Sequence, residues 1–141
     1  MSTIWWSYLV DHVDSVEADR NWHAKICKLL EERGRTNVSL SLKSNSSYSD
    51  MSPFADAFFD FIVIDGHDRE KVAAQSRRIL KRPGWIYPDD SDRSAQWREM
   101  YGEAEELLVD LVQREGGQIT YFTGFTPATF IARQGMLVYL P

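Results

Sequence analysis

The chain has 141 residues, a formal net charge of -5, 43% hydrophobic and 13% aromatic residues. This length suits one globular domain, which we expect over residues 1–141, and the aromatic content excludes a disordered class. The negative charge argues against nucleic-acid binding, which depends on lysines and arginines that neutralise phosphates, and also against a strongly anionic substrate. Cys27 is the only cysteine, so an intrachain disulfide is excluded.

The first predicted element is a helix that Ser2 or Thr3 caps and that runs to about Val10. Its apolar positions have helical spacing: Ile4, Trp5, Tyr8, Leu9. The apolar run is short, is interrupted by Ser7 and carries no Lys or Arg. It therefore predicts neither a signal peptide nor a membrane span, and we expect a cytoplasmic protein without a membrane partner.

A strand, a helix and a second strand follow. The first strand, about Val13 to Val16, leads to Asp19, which is placed to cap a helix that ends at Gly34. The inward face of this helix is Trp22, Ile26, Leu29, Leu30. Apolar and polar residues then alternate over residues 38–43, which is the period of a half-exposed strand near a sheet edge, and a polar loop follows.

The middle of the chain holds the strand Phe59 to Ile64, which ends abruptly in a polar turn. Asp68 is placed to cap the next helix, whose inward face is Val72, Ser76, Ile79, Leu80, and Pro83-Gly84 is expected to end this unit. The apolar stretch from Trp85 to Tyr87 predicts another strand. Pro88 should end or bend that strand, because proline donates no backbone hydrogen bond.

The last third predicts a helix and two strands. Ser94 is placed to cap a helix with the apolar face Trp97, Tyr101, Ala104, Leu108, Leu111, and Gly116-Gly117 closes it. Residues 118–123 and 129–140 are rich in β-formers and should pair as an antiparallel hairpin, with a break around Gln134-Gly135. Strands that alternate with amphipathic helices predict an α/β fold with right-handed crossovers and a mostly parallel sheet.

Acidic residues cluster where two of these strands end. Asp65 and Asp68 follow the strand at 59–64, and Asp89, Asp90 and Asp92 follow the stretch at 85–87. In open α/β sheets ligands bind in the crevice outside the carboxyl ends of the strands. The pattern therefore predicts a binding crevice.

The order of four segments resembles class I S-adenosylmethionine-dependent methyltransferases. The segments are VEAD at 16–19, FDFIVIDGHDR at 59–69, LKRPGWIYPDDSDR at 80–93 and YFTGFTPATFIARQGMLVYL at 121–140. The resemblance covers the chain from residue 2 onward. It implies a Rossmann-like methyltransferase sheet, S-adenosylmethionine as cofactor, and methyl transfer to the nucleophile of a small-molecule substrate.

The resemblance also implies roles for individual residues. Glu17 matches the acid that accepts hydrogen bonds from both cofactor ribose hydroxyls. Asp50 lies in the loop that holds adenine, although its neighbours Ser49 and Met51 match that region equally. Asp65 matches the position beside the methionine end of the cofactor and the substrate, and its alternative role is to form a turn with Gly66.

His67 is the candidate general base, because an unperturbed histidine titrates near neutral pH. The plainer interpretation, a polar loop histidine, stays open. Asp65 is the second candidate catalytic residue. In the catechol-type branch of the superfamily, positions similar to Asp65, Asp89 and Asp90 hold Mg²⁺, which prefers oxygen ligands. Acidic loops are common and this match is loose, so we favour a site without metal.

The sequence departs from the family at its start. The first strand and the glycine-rich loop of the family pattern are missing, and Ser2 and Thr3 resemble the start of the helix that follows this loop. Free amides at that helix end would approach the cofactor's carboxyl group. The missing strand belongs between the strands at 13–16 and 59–64. These strands should close up, or a second copy should supply an edge in a homodimer, or the sequence is a shortened version of a longer protein.

The missing loop leaves a second function open. In that alternative the protein is a non-catalytic methyltransferase-like domain that acts through self-association or partner binding. A nicotinamide-binding Rossmann domain is the weakest alternative, because the chain has no GxGxxG motif and such domains usually lack the C-terminal hairpin.

Overall fold

The computed structural model describes residues 2–91, 103–125 and 132–141. It divides the chain into two compact units, Met1–Tyr48 and Ser49–Pro141, which we call the N-terminal unit and the C-terminal unit. The assignment of residues 1–141 to one domain stays a prediction. No helix in the described ranges is long and apolar enough to cross a membrane.

The N-terminal unit contains two helices and a two-stranded parallel sheet. The elements are α1 (Ser2–Trp6), β1 (Val13–Glu17), α2 (Arg20–Glu32) and β2 (Val38–Leu42). The core of the unit is Ile4 with Ile26 and Leu30 of α2, so the predicted inward face of α2 is confirmed. The first helix is shorter than predicted, since it ends at Trp6 instead of about Val10, and Tyr8 and Leu9 are exposed.

The ends of α2 follow from local chemistry. Asp19 Oδ1 accepts a hydrogen bond from the Trp22 backbone N–H at 2.7 Å, which confirms the predicted N-cap. At the other end Arg33 is the C-cap, and Gly34 follows with a φ of 60°. Glycine adopts this left-handed conformation without a steric penalty, so Gly34 stops the helix as predicted.

In its described residues the C-terminal unit contains a four-stranded sheet and two helices. Its elements are β3 (Phe59–Ile64), α3 (Arg69–Ile79), β4 (Leu80–Pro88), α4 (Ala104–Glu115), β5 (Gln118–Phe125) and β6 (Ala132–Leu140). The strand order is β3-β4-β6-β5, in which β3 and β4 are parallel and the pairs β4–β6 and β5–β6 are antiparallel. The predicted α/β fold with parallel pairs and a C-terminal antiparallel hairpin is confirmed.

The core of the C-terminal unit joins the sheet to its helices. Ile86, Val138 and Leu140 on the strands and Leu108 on α4 have no exposed surface, and Ile79 on α3 is buried beside them. Burial of such side chains stabilises the fold by about 1.5–3 kcal/mol each. This packing holds the carboxyl ends of β3 and β4 next to each other.

Several predictions about this unit are wrong in detail. Pro83-Gly84 was expected to end the segment formed by β3 and α3, but α3 ends earlier, at Ile79, and Pro83-Gly84 lies inside β4. Strand β6 runs through Gln134-Gly135 without the expected break. Asp68 occupies the N-cap position of α3 but makes no capping hydrogen bond, because its backbone is left-handed and its side chain bonds elsewhere. The predicted start of the long helix, with Ser94, Trp97 and Tyr101, lies outside the described residues.

Each strand expected to flank the missing strand has a neighbour inside its own unit. In the described ranges β1 pairs with β2 and β3 pairs with β4, and these pairs belong to separate sheets. Closing up of these strands, a second copy and a shortened sequence all stay predictions.

Candidate active site

Glu17 ends β1 with its carboxylate held by the backbone. Its Oε1 accepts hydrogen bonds from the N–H groups of Ala18 at 2.8 Å and Asp19 at 2.9 Å. Because Asp19 also caps α2, these bonds tie the carboxylate to the start of that helix. Among the described residues no hydrogen bond reaches Glu17 Oε2, and the residue is only half-buried. One carboxylate oxygen is thus oriented while the other can accept further donors.

Ser2 and Thr3 differ in environment. Ser2 is exposed, whereas Thr3 is buried and its Oγ1 shares a hydrogen bond of 2.9 Å with Ser15 Oγ on β1. The Thr3 hydroxyl is therefore engaged inside the N-terminal unit. The helix that begins here has only five residues, which is too short for its amides to form an anion site by themselves.

The three candidates for the adenine site, in the loop before β3, differ in how exposed their side chains are. Asp50 is exposed, and its Oδ1 accepts the Ser52 N–H at 2.9 Å. Ser49 and Met51 are buried, and Gln75 of α3 bonds to both of their backbones, to the Ser49 carbonyl at 2.8 Å and the Met51 N–H at 3.2 Å. Of the three side chains only that of Asp50 lies on the surface, where a ligand can reach it.

Asp65, directly after β3, lies beside a buried arginine that sequence reasoning missed. Arg69, in the first turn of α3, is 6% exposed and donates through Nη2 to Asp65 Oδ1 at 3.4 Å and through Nε to the Gly66 carbonyl at 3.1 Å. Its Nη1 donates to the Asp89 carbonyl, which follows β4. The Arg69 guanidinium therefore contacts both the turn after β3 and the turn after β4.

The turn that leads into α3 is charged and partly solvated. Asp68 has a φ of 51°, accepts a hydrogen bond from Ser49 Oγ at 3.1 Å and pairs with Lys71 at 3.1 Å. These donors, Lys71 first, lower the pKa of Asp68. The neighbouring His67, the candidate general base, is exposed. Its catalytic role stays a prediction.

Tyr87 forms a hydrogen bond with the carboxylate that follows β4. Tyr87 Oη donates to Asp89 Oδ1 at 3.2 Å, and its ring lies against Gly135 of β6. Partial burial, followed by the negative charge of Asp89, raises the pKa of Tyr87 to about 12, so the phenol keeps its proton at neutral pH. Tyr87 was not predicted, because only the pairing of distant strands brings it to Gly135.

The aspartates at the ends of β3 and β4 act on each other electrostatically. Burial and then the charge of Asp89 raise the pKa of Asp65, Arg69 opposes the shift, and Asp90 adds to it. Asp90 also has a φ of 48° and pairs with Arg133 Nε at 3.8 Å. Within the described ranges, no group of three or more His, Cys, Asp or Glu side chains has the arrangement of a metal site.

No protein-family model matches the sequence, and no curated protein matches it significantly. Solved structures do match. A putative O-methyltransferase from Klebsiella pneumoniae has 16% identity and a TM-score of 0.71, and the match covers 99% of this chain and 67% of that one.

Two further matches were solved with ligands. The O-methyltransferase from Bacillus cereus in complex with SAH has 18% identity and a TM-score of 0.75, with 99% and 69% coverage. TomG from Streptomyces achromogenes, an O-methyltransferase of tomaymycin synthesis in complex with SAM, has 15% identity and a TM-score of 0.73, with 99% and 67% coverage. The chain thus spans about two thirds of these enzymes and has the Rossmann-like fold of class I methyltransferases.

Proposed function

We propose that this protein binds S-adenosylmethionine and transfers its methyl group to an oxygen or nitrogen atom of a small molecule. The observation that carries the proposal is Glu17, whose carboxylate two backbone amides hold at the end of a parallel strand. The likeness in fold to O-methyltransferases, two of them in complex with SAH or SAM, supports the same function.

The proposed ligand contacts are carboxylates, which accept hydrogen bonds from the ligand. A carboxylate suits a ribose diol, because it can accept two hydrogen bonds in one plane, and Glu17 Oε2 has no other hydrogen bond among the described residues. Asp50, exposed in its loop, is the proposed acceptor for the adenine ring. Asp65 is the proposed partner for the positively charged amino group of the methionine end.

When bound, S-adenosylmethionine supplies an electrophilic methyl group on a positively charged sulfur. The chain's own part is then to hold the substrate nucleophile in line with that methyl group, and positioning of this kind can supply most of the rate. A base is needed only if the nucleophile must lose a proton. His67 is the proposed base, and Asp65 is the alternative, because its raised pKa makes it a better proton acceptor than an ordinary aspartate.

The test is titration calorimetry of the purified chain with S-adenosylmethionine and SAH, with a thermal-shift scan beside it. Ligand at about 100 times its dissociation constant stabilises the native state by about 2.7 kcal/mol. With an entropy of unfolding of about 2.1 cal/mol/K per residue, this stabilisation raises the unfolding midpoint by roughly 9 °C if the chain unfolds cooperatively.

Glu17→Ala should abolish saturable binding. The matched control is Glu31→Ala, which removes an exposed carboxylate from α2. Loss of binding in both variants, or no binding by a cooperatively folded wild-type chain, would refute the proposal. The second outcome would leave the non-catalytic alternative, which light scattering would then test through the oligomeric state.

A further inference from the structure

We propose that Arg69 is a positioning residue that fixes the Asp65 side chain and the Asp89 turn relative to each other at the carboxyl ends of β3 and β4. The role of the positioned groups in ligand binding rests on the proposed function. The positioning itself does not depend on it.

The contacts of Arg69 reach three points on two turns. Nε donates to the Gly66 carbonyl at 3.1 Å, Nη2 lies 3.4 Å from Asp65 Oδ1, and Nη1 donates to the Asp89 carbonyl. A guanidinium carries five N–H donors in a rigid plane, so the positions of its acceptors are coupled. A lysine, with one rotatable ammonium, cannot reproduce this arrangement.

Both turns contain an aspartate in the left-handed region. The φ angles are 51° at Asp68 and 48° at Asp90, each next to a residue that takes part in the Arg69 contacts. Residues other than glycine keep this conformation only where their surroundings determine it, and such positions cluster at functional sites. Arg69 supplies a fixed donor to the backbone of each turn.

The ion pair with Asp65 is a poor explanation for why Arg69 is buried at this position. Arg69 is 6% exposed, but the Asp65 side chain is 45% exposed, so water screens this ion pair and the pair adds little net stability. The Asp65 contact of 3.4 Å is also long for a strong pair. The two carbonyl contacts, which carry no charge to neutralise, instead join the turn after β3 to the turn after β4.

The first test measures amide hydrogen exchange in Arg69→Lys and Arg69→Gln. The probe is the Asp89 N–H, which donates to the Ile64 carbonyl at 3.1 Å across the two strand ends. We expect its exchange to become at least tenfold faster in both variants, while the Ile86 amide inside β4 is unchanged. Arg77→Lys is the control, because Arg77 lies on the same helix but pairs with Glu115.

A second measurement distinguishes the effect of the Arg69 charge from the effect of its hydrogen-bond geometry. Carboxyl ¹³C titration should show a higher Asp65 pKa in Arg69→Gln, which has lost the cation, but not in Arg69→Lys, which keeps it. SAH affinity, measured on the same proteins, should fall at least tenfold in both. Rescue of exchange and affinity by lysine would mean that charge alone suffices and would overturn the proposal.

The outcomes distinguish this inference from the proposed function. Unchanged Asp89 exchange, or equal acceleration of the Asp89 and Ile86 amides, would overturn the positioning role whatever the ligand binding. Faster Asp89 exchange in a protein whose wild type does not bind SAH would support the positioning role and refute the proposed function.

Discussion

Gly135 should be intolerant of a side chain because of Tyr87. A Cβ built at Gly135 would lie 2.5 Å from Tyr87 Oη and 3.0 Å from two ring carbons, whereas ordinary contact begins at 3.4 Å. In Gly135→Ala the phenol must therefore move by roughly 0.9 Å, and overpacking of this kind costs about 1–3 kcal/mol. The Tyr87–Asp89 hydrogen bond, already 3.2 Å long, should break as the phenol moves.

The loss of that bond adds about 0.5–1.5 kcal/mol, so the total for Gly135→Ala is about 1.5–4.5 kcal/mol. Urea unfolding followed by circular dichroism measures this loss. The same substitution in a Tyr87→Phe background should cost at least about 1 kcal/mol less, because the closest clashing atom is absent, and the double-mutant cycle isolates this coupling.

Gly124→Ala is the matched control. Gly124 lies on β5 of the same hairpin, and a Cβ there would meet nothing within 4 Å. We expect a change below about 0.5 kcal/mol, as for most surface substitutions. The reasoning fails if Gly135→Ala is as harmless as Gly124→Ala, or if its cost is the same with and without the Tyr87 hydroxyl.

Substitutions at two further positions, Asp65 and Asp19, test the electrostatics and the capping. Asp65 has a raised pKa, so its ionised form destabilises the folded state above the unfolded pKa, and this cost disappears as the pH falls below that value. Asp65→Asn should accordingly raise the free energy of unfolding at pH 7, by less than about 1 kcal/mol because the side chain is half-exposed. At pH 3 the substitution should give no gain. A gain in stability at pH 3 that matches the gain at pH 7 would contradict the assigned cause. Asp19→Ala should cost about 1 kcal/mol by removing the N-cap of α2, while Asp19→Asn should be near neutral, and equal losses in thermal unfolding would argue against a capping role.

Local features of the fold could be predicted because short-range chemistry determines them. The strand at Phe59–Ile64 has both its predicted bounds, and Asp19 and Gly34 delimit α2 as their residue types indicated. Pro88 is the last residue of β4, where the prediction placed a strand end, and β6 pairs only with residues 84–86 of that strand. Pro88, which has no backbone N–H, therefore lies outside the part of β4 that pairs with β6.

The errors arose where distant contacts outweigh local preference. Asp68 has the residue type and position of an N-cap, yet its carboxylate accepts a hydrogen bond from Ser49 and its backbone is left-handed. Gln134-Gly135 looks like a strand break, yet the glycine is needed there so that Tyr87 can pack against β6. In both cases a partner far along the chain decides the conformation.

The sequence by itself determined the α/β class, the order of the strands along the chain and the acidic residues at their carboxyl ends, because periodicity and turn chemistry act over a few residues. Its resemblance to class I methyltransferases also implied Glu17 and Asp65 as candidate site residues. Only the tertiary structure decided that Arg69 joins Asp65 to the turn after β4. The Arg69 contact depends on parallel strand pairing and burial, which bring together residues whose types alone do not reveal their partners.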